Sequence, residues 1–112
     1  MPITVEQQEG ISVLCVSGSI DAASSGDLAA VLNDETAAGR VRLVVDLSAV
    51  DYISSAGLRA VLAALKAARQ AGGDLHIAGA QQDVKRVLEL AGITGLIRCF
   101  ETQAEAVAAF PA

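Results

Sequence analysis

The sequence predicts a small α/β domain, and three observations carry that prediction. Short runs rich in Val, Ile and Leu alternate with longer segments whose apolar residues recur at helical spacing. Two β-type runs come first without a helix between them, so a hairpin precedes the strand–helix units. The 112 residues contain no linker, repeat or break in composition, so residues 1–112 are expected to form one domain. The order reads ββαβαβα(β)α. It implies an N-terminal β-hairpin joined to a mostly parallel mixed sheet of four to five strands, packed with about four helices.

In chain order, Ile3 to Glu6 and Ile11 to Ser17 are β-type runs flanking Gln7-Gln-Glu-Gly10, a polar turn suited to an antiparallel hairpin. Gly18-Ser-Ile-Asp21 is expected to end the second strand. Ser24 with Asp27 resembles a capping box, with Leu28, Val31 and Leu32 at helical spacing behind it and Gly39 as the stop. Val41 to Leu47 alternates cleanly and is the clearest strand.

The next helix opens near Ser54 or Ser55, with Leu58, Val61, Leu62 and Leu65 forming an i, i+3, i+4, i+7 stripe that stops at Gly72-Gly73. Leu75 to Ala78 is a strand, and Val84, Val87, Leu88 and Ala91 mark a helix ended by Gly92. An extended segment is expected near Leu96 to Phe100. Thr102 and Glu105 form a second capping-box candidate, opening a helix through Val107 and Phe110 that Pro111 ends.

Composition excludes several functions. The apolar fraction is 53% but only 3% of residues are aromatic, which suits close-packed layers and neither an aromatic ligand cavity nor a base-stacking surface. A net charge of −5 argues against direct nucleic-acid binding and suits a basic protein partner. No apolar run reaches membrane-spanning length and the N-terminus lacks signal-peptide features, so a cytoplasmic protein without membrane insertion is expected. Cys15, inside an apolar run, is expected to be buried. With Cys99 distant and His76 alone, neither a metal nor another cofactor is expected. The Met1-to-Glu6 edge strand could pair with a second chain as a weak homodimer.

Chemistry in α/β domains gathers at the C-terminal ends of parallel strands. Asp46, Ser48, Asp51, Ser54 and Ser55 map to that edge, and Asp21 could approach the same corner. A catalytic serine would need a base, but His76 sits between Leu75 and Ile77 and no G-x-S-x-G elbow exists. No P-loop or G-x-G-x-x-G occurs either, so no turnover by the isolated chain is expected. Two readings of the Ser54-Ser55 pair remain open. It is an N-cap worth about 1 kcal/mol, or it presents a serine for modification by another protein. A phosphate there would add about −1.5 to −2 charges beside free N–H groups. It would be tolerated by the fold and not by a partner packed over Tyr52, Ile53 and the helix start.

Three stretches carry a family resemblance: Gly18-Ser-Ile-Asp21, Val44-Val-Asp-Leu-Ser48 and Tyr52-Ile-Ser-Ser-Ala-Gly-Leu58. Together they resemble the STAS family, specifically the anti-anti-sigma factors (anti-sigma factor antagonists). The resemblance implies the STAS fold and partner switching in transcription regulation and stress response. Such a protein binds an anti-sigma factor that is also a GHKL-type serine kinase and thereby frees a sigma factor. The kinase phosphorylates the antagonist and releases it, and a PP2C-type phosphatase restores it.

Carried over, the phosphoacceptor is Ser55, with Ser54 as the fallback. The implied partner-binding positions are Asp21, Asp46, Tyr52, Ile53, Ser54, Gly57 and Leu58. Ser54 stands where the family often has aspartate, Ser19 where glutamate is frequent, and Ala56 where serine or threonine is common. STAS domains also serve as stand-alone accessory subunits that bind the ATPase of a lipid-transport ABC system, which is the alternative reading.

Overall fold

The computed structural model describes residues 2–111 as a five-stranded sheet with helices on both faces. The elements are β1 (Ile3–Gln8), β2 (Ile11–Ile20), α1 (Ser25–Ala37), β3 (Arg42–Ile53), α2 (Ser55–Gln70), β4 (Asp74–Ala78), α3 (Gln82–Leu90), β5 (Arg98–Phe100) and α4 (Gln103–Ala108). A 3-10 turn, Ile93–Gly95, precedes β5. Strand order follows chain order, β1 to β5. The β1–β2 pair is antiparallel and every later pair is parallel.

That order dictates the layers. Each crossover moves one strand in the same direction, so a fixed crossover hand places α1, α2 and α3 on one face. Leu28 and Leu32, Val61 and Leu65, and Val84 and Leu88 bury there against Leu14, Val45 and Ile77. Among the described residues only α4 and the segment just after it cover the other face, where Ala106, Val107 and Phe110 pack on Val13, Val44 and Ala78. His76 is a structural part of that smaller core. It is 2% exposed, stacked on Phe110 with ring centroids 3.9 Å apart, and its Nδ1 lies 2.9 Å from the Ala106 carbonyl oxygen.

Several boundaries differ from the expectation. The hairpin turn is two residues, not four, with Glu9 at φ 55° and Gly10 at φ 81°. These are the positive φ values that a tight hairpin turn requires. Both β2 and β3 run on past their expected ends at Ser17 and Leu47. Register shifts between Cys15 and Ser17 and between Gly18 and Ser19 insert extra β3 residues opposite β2. Beyond Leu47 the buried positions are Val50 and Ile53, a period of three that a search for alternation misses.

The Ser24–Asp27 capping box does not form. Instead Asp21 Oδ1 accepts the Ser24 N–H at 2.8 Å, and Ser24 Oγ accepts the Asp21 N–H at 2.9 Å. The Thr102–Glu105 box does form, with both reciprocal bonds present, although α4 ends at Ala108, short of Phe110. Cys15 is half-buried rather than buried. Met1, part of the expected edge pairing, lies outside the described residues. β1 is an edge strand, and Val5 on it is 40% exposed.

Candidate functional site

The ends of β2 and β3 are joined where the candidate residues cluster. Ile20 pairs with Ile53, and the Ser54 N–H donates to the Ile20 carbonyl at 2.7 Å. The β2–α1 turn with Asp21 therefore stands beside the β3–α2 junction with Ser54 and Ser55.

The two serines have different environments. Ser54 is the N-cap: its backbone is extended at φ −85°, ψ 170°, and its Oγ accepts the Gly57 N–H at 3.1 Å. Its carbonyl accepts the Leu58 N–H at 3.0 Å. Ser55 is the first residue of α2 and is exposed. The N–H groups of Ser55 and Ala56 have no hydrogen-bond partner among the described residues. Those free donors and the positive end of the helix dipole favour an anion at this point.

Asp21 is exposed at the same corner. Its carboxyl sits below the usual range because it accepts the Ser24 N–H and, secondarily, the Ser24 hydroxyl. Tyr52 is 51% exposed. Next to it, Asp51 Oδ1 accepts the Ser19 hydroxyl at 2.7 Å. Leu58 is half-buried at the rim of the larger core. Ile53 at 3% exposure and the buried Gly57 face inward, so they shape the corner from below.

Asp46 does not join this corner. On β3 it follows the alternation of Arg42 and Val44, which points it to the α4 face of the sheet, opposite the face that α2 covers. There its Oδ1 accepts the Ser48 N–H at 2.9 Å and its Oδ2 accepts Gln103 Nε2 at 2.8 Å. Gln8 Nε2 reaches the same Gln103 at 3.0 Å. Asp46 thus fastens the start of α4 to the sheet. A shallow groove beside it is lined by Thr4, Cys15, Ser17 and Ser48.

Neither cysteine is an activated nucleophile. Burial, followed by the nearby Asp46 and Glu6 charges, pushes the Cys15 thiol up, and burial also pushes Cys99 up. Among the described residues no group of three His, Cys, Asp or Glu side chains could hold a metal ion. No helix among them is long and apolar enough to cross a membrane.

The STAS domain family model matches residues 2–106. The chain belongs to the STAS domain family. The BtrV protein of Bordetella bronchiseptica, named as a candidate anti-sigma factor antagonist, is 34% identical over 110 residues, covering 98% of this STAS domain and 95% of BtrV. The anti-sigma-F factor antagonist RsfB of Mycobacterium tuberculosis is 29% identical over 105 residues, covering 94% and 85%. The crystal structure of an anti-sigma factor antagonist from Mycobacterium paratuberculosis superimposes with a TM-score of 0.88 at 28% identity, covering 96% and 92%.

Two features of the STAS domain's corner were not apparent from the sequence. One is the Ser19–Asp51 hydrogen bond, which links residues 32 apart. The other is the reciprocal Asp21–Ser24 pair, whose only local signal was a serine three residues after an aspartate at a strand end.

Proposed function

We propose that this STAS domain is an anti-sigma factor antagonist switched by phosphorylation of Ser55. In the unmodified state the corner formed by Asp21, Tyr52, Ser54, Ser55 and Leu58 docks on an anti-sigma factor, a GHKL-type serine kinase, and its sigma factor is released. Ile53 and Gly57 act beneath this surface by holding α2 against the sheet. A cytoplasmic setting follows from this role, because sigma factors act there.

The observation that carries the switch is the division of labour between the serines. Ser54 is engaged as the cap, while Ser55 is exposed with free N–H groups around it. A phosphate on Ser55 adds about −1.5 to −2 charges that water and the helix start accommodate in the free domain. Under a docked partner the same dianion is desolvated, a cost of at least several kcal/mol. A micromolar complex holds together by about 8 kcal/mol, so that cost dissociates it. A PP2C-type phosphatase returns the hydroxyl and the binding. The names of the relatives support the antagonist role.

The direct test incubates the protein with the serine-kinase anti-sigma factor of the same cell and ATP, followed by mass spectrometry. One phosphate on wild type and none on Ser55→Ala is expected. Modification of Ser55→Ala at Ser54 would move the acceptor by one residue. Wild type left unmodified by an active kinase would end the proposal. Recovery of a transporter ATPase instead of a kinase, insensitive to Ser55→Asp, would favour the accessory-subunit role.

A further inference from the structure

We infer that the partner surface extends from Ser55 into a groove between the end of β3 and α3, and that this groove takes a basic side chain, arginine or lysine, of the anti-sigma factor. The inference rests on the partner-binding role proposed above and adds a contact chemistry to it. The groove has a volume of about 170 Å³ and is lined by Asp51, Tyr52, Ile53, Asp83, Val84 and Val87. Pockets for small molecules run to roughly 300–1,000 Å³, so this one suits a single side chain better than a free metabolite.

Its walls divide by chemistry. Ile53 and Val84 are buried and Val87 is half-buried, giving an apolar floor. Two carboxylates from different elements stand over it, Asp51 from β3 and Asp83 from the first turn of α3. Neither belongs to an ion pair among the described residues. Asp51 commits Oδ1 to the Ser19 hydroxyl and keeps its second oxygen for another donor. Of the α3 cations, Lys85 lies on another side of that helix, against Cys99 and Leu88, and Arg86, three residues after Asp83, neither lines the groove nor forms an ion pair with it.

An aliphatic stem laid on the valines, with its cationic head between two carboxylates and beside the half-exposed Tyr52 ring, satisfies both parts of the groove. Tyr52 and Ile53 also connect it directly to Ser54 and Ser55, so one partner surface can cover both. A second copy of this chain is a poor occupant, because at a net charge of −5 it brings acid against acid.

The test measures binding of each purified serine-kinase anti-sigma factor of the same genome by calorimetry, at two salt concentrations. Wild type is compared with the double variant Asp51→Asn/Asp83→Asn and with Asp34→Asn, which removes an exposed carboxylate on α1, unpaired among the described residues and outside the proposed surface. The amide oxygen that replaces the Asp51 carboxylate can still accept the Ser19 hydroxyl, so the double variant removes charge and keeps that bond. It is expected to melt like wild type, to bind about tenfold more weakly, and to lose part of the salt dependence. Unchanged affinity of the double variant would overturn the groove assignment and leave the antagonist role standing. Binding of wild type to none of the kinases would overturn both.

Discussion

Gly57 shows how one residue sets the geometry of the corner. A Cβ built on it would lie 2.6 Å from Ile20 Cγ2 and 3.0 Å from Ile53 Cγ1, so only glycine lets α2 approach the strand ends this closely. That approach keeps Ser54 against Ile20 and fixes where Ser55 emerges. Gly57→Ala gains helix propensity of up to about 1 kcal/mol but must push the helix start outward, an overpacking cost of about 1–3 kcal/mol. A net loss of up to about 2 kcal/mol is expected, read as a drop of up to several degrees in Tm. Gly26 in α1 is the control, since a Cβ there meets nothing within 4 Å. Gly26→Ala should be neutral or stabilising. If thermal unfolding shows the two variants behaving alike, the close approach at Gly57 is not what holds α2 in place.

At the scale of elements, the clasp between the hairpin and α1 is the clearest case of a long-range contact. Glu35, with its side chain 7% exposed, takes a two-point ion pair from Arg40, Nε to Oε1 at 2.9 Å and Nη2 to Oε2 at 2.8 Å. Gln7 from β1 donates to the same carboxylate at 3.3 Å and is bonded in turn to the buried Ser12. Arg40 first, and Ser12 and Gln7 after it, hold the Glu35 pKa at about 2 against an ordinary value of 4.5.

Because the folded-state value is depressed, the stabilisation is complete above about pH 4.5 and is lost as pH falls toward 2. Its size is on the order of 2–3 kcal/mol. Denaturant unfolding should show Glu35→Gln less stable than wild type at pH 7, with the gap closing below pH 4. A gap independent of pH would assign the loss to packing instead.

Such contacts mark the limit of what the sequence discloses. The alternation of Val41 to Leu47 and the stripe along α2 were legible because each reports burial through local spacing. The continuation of β3 was not, because bulges replace the period of two by one of three at Leu47, Val50 and Ile53. Ser54 as cap was legible from local chemistry. Ser24 does stand at the N-cap of α1, but the box with Asp27 fails because its side chain turns upstream to Asp21, where a capping-box reading does not look. Asp46 was placed with the site by its position along the strand, while the pleat turns its side chain to the other face.

Across the whole molecule, the sheet order separates the work of the two faces. Three crossover helices bury the larger core, while α4 seals the other face through His76, Phe110 and the Asp46–Gln103 contact. The candidate phosphoacceptor lies at the rim of the first layer, outside both cores, so adding charge there need not disturb either. An acidic group at the first turn of α2 meets the positive helix end, which stabilises by about 0.3–1 kcal/mol. Ser55→Asp should therefore keep the wild-type Tm or raise it slightly, with unchanged hydrogen-exchange protection in β2, β3 and α2, while binding of the anti-sigma factor is lost. A fall in stability of more than about 1 kcal/mol, or exposure of α2 amides, would mean that the switch works by unfolding the corner. A rigid surface requires the opposite, binding abolished on a fold that does not move.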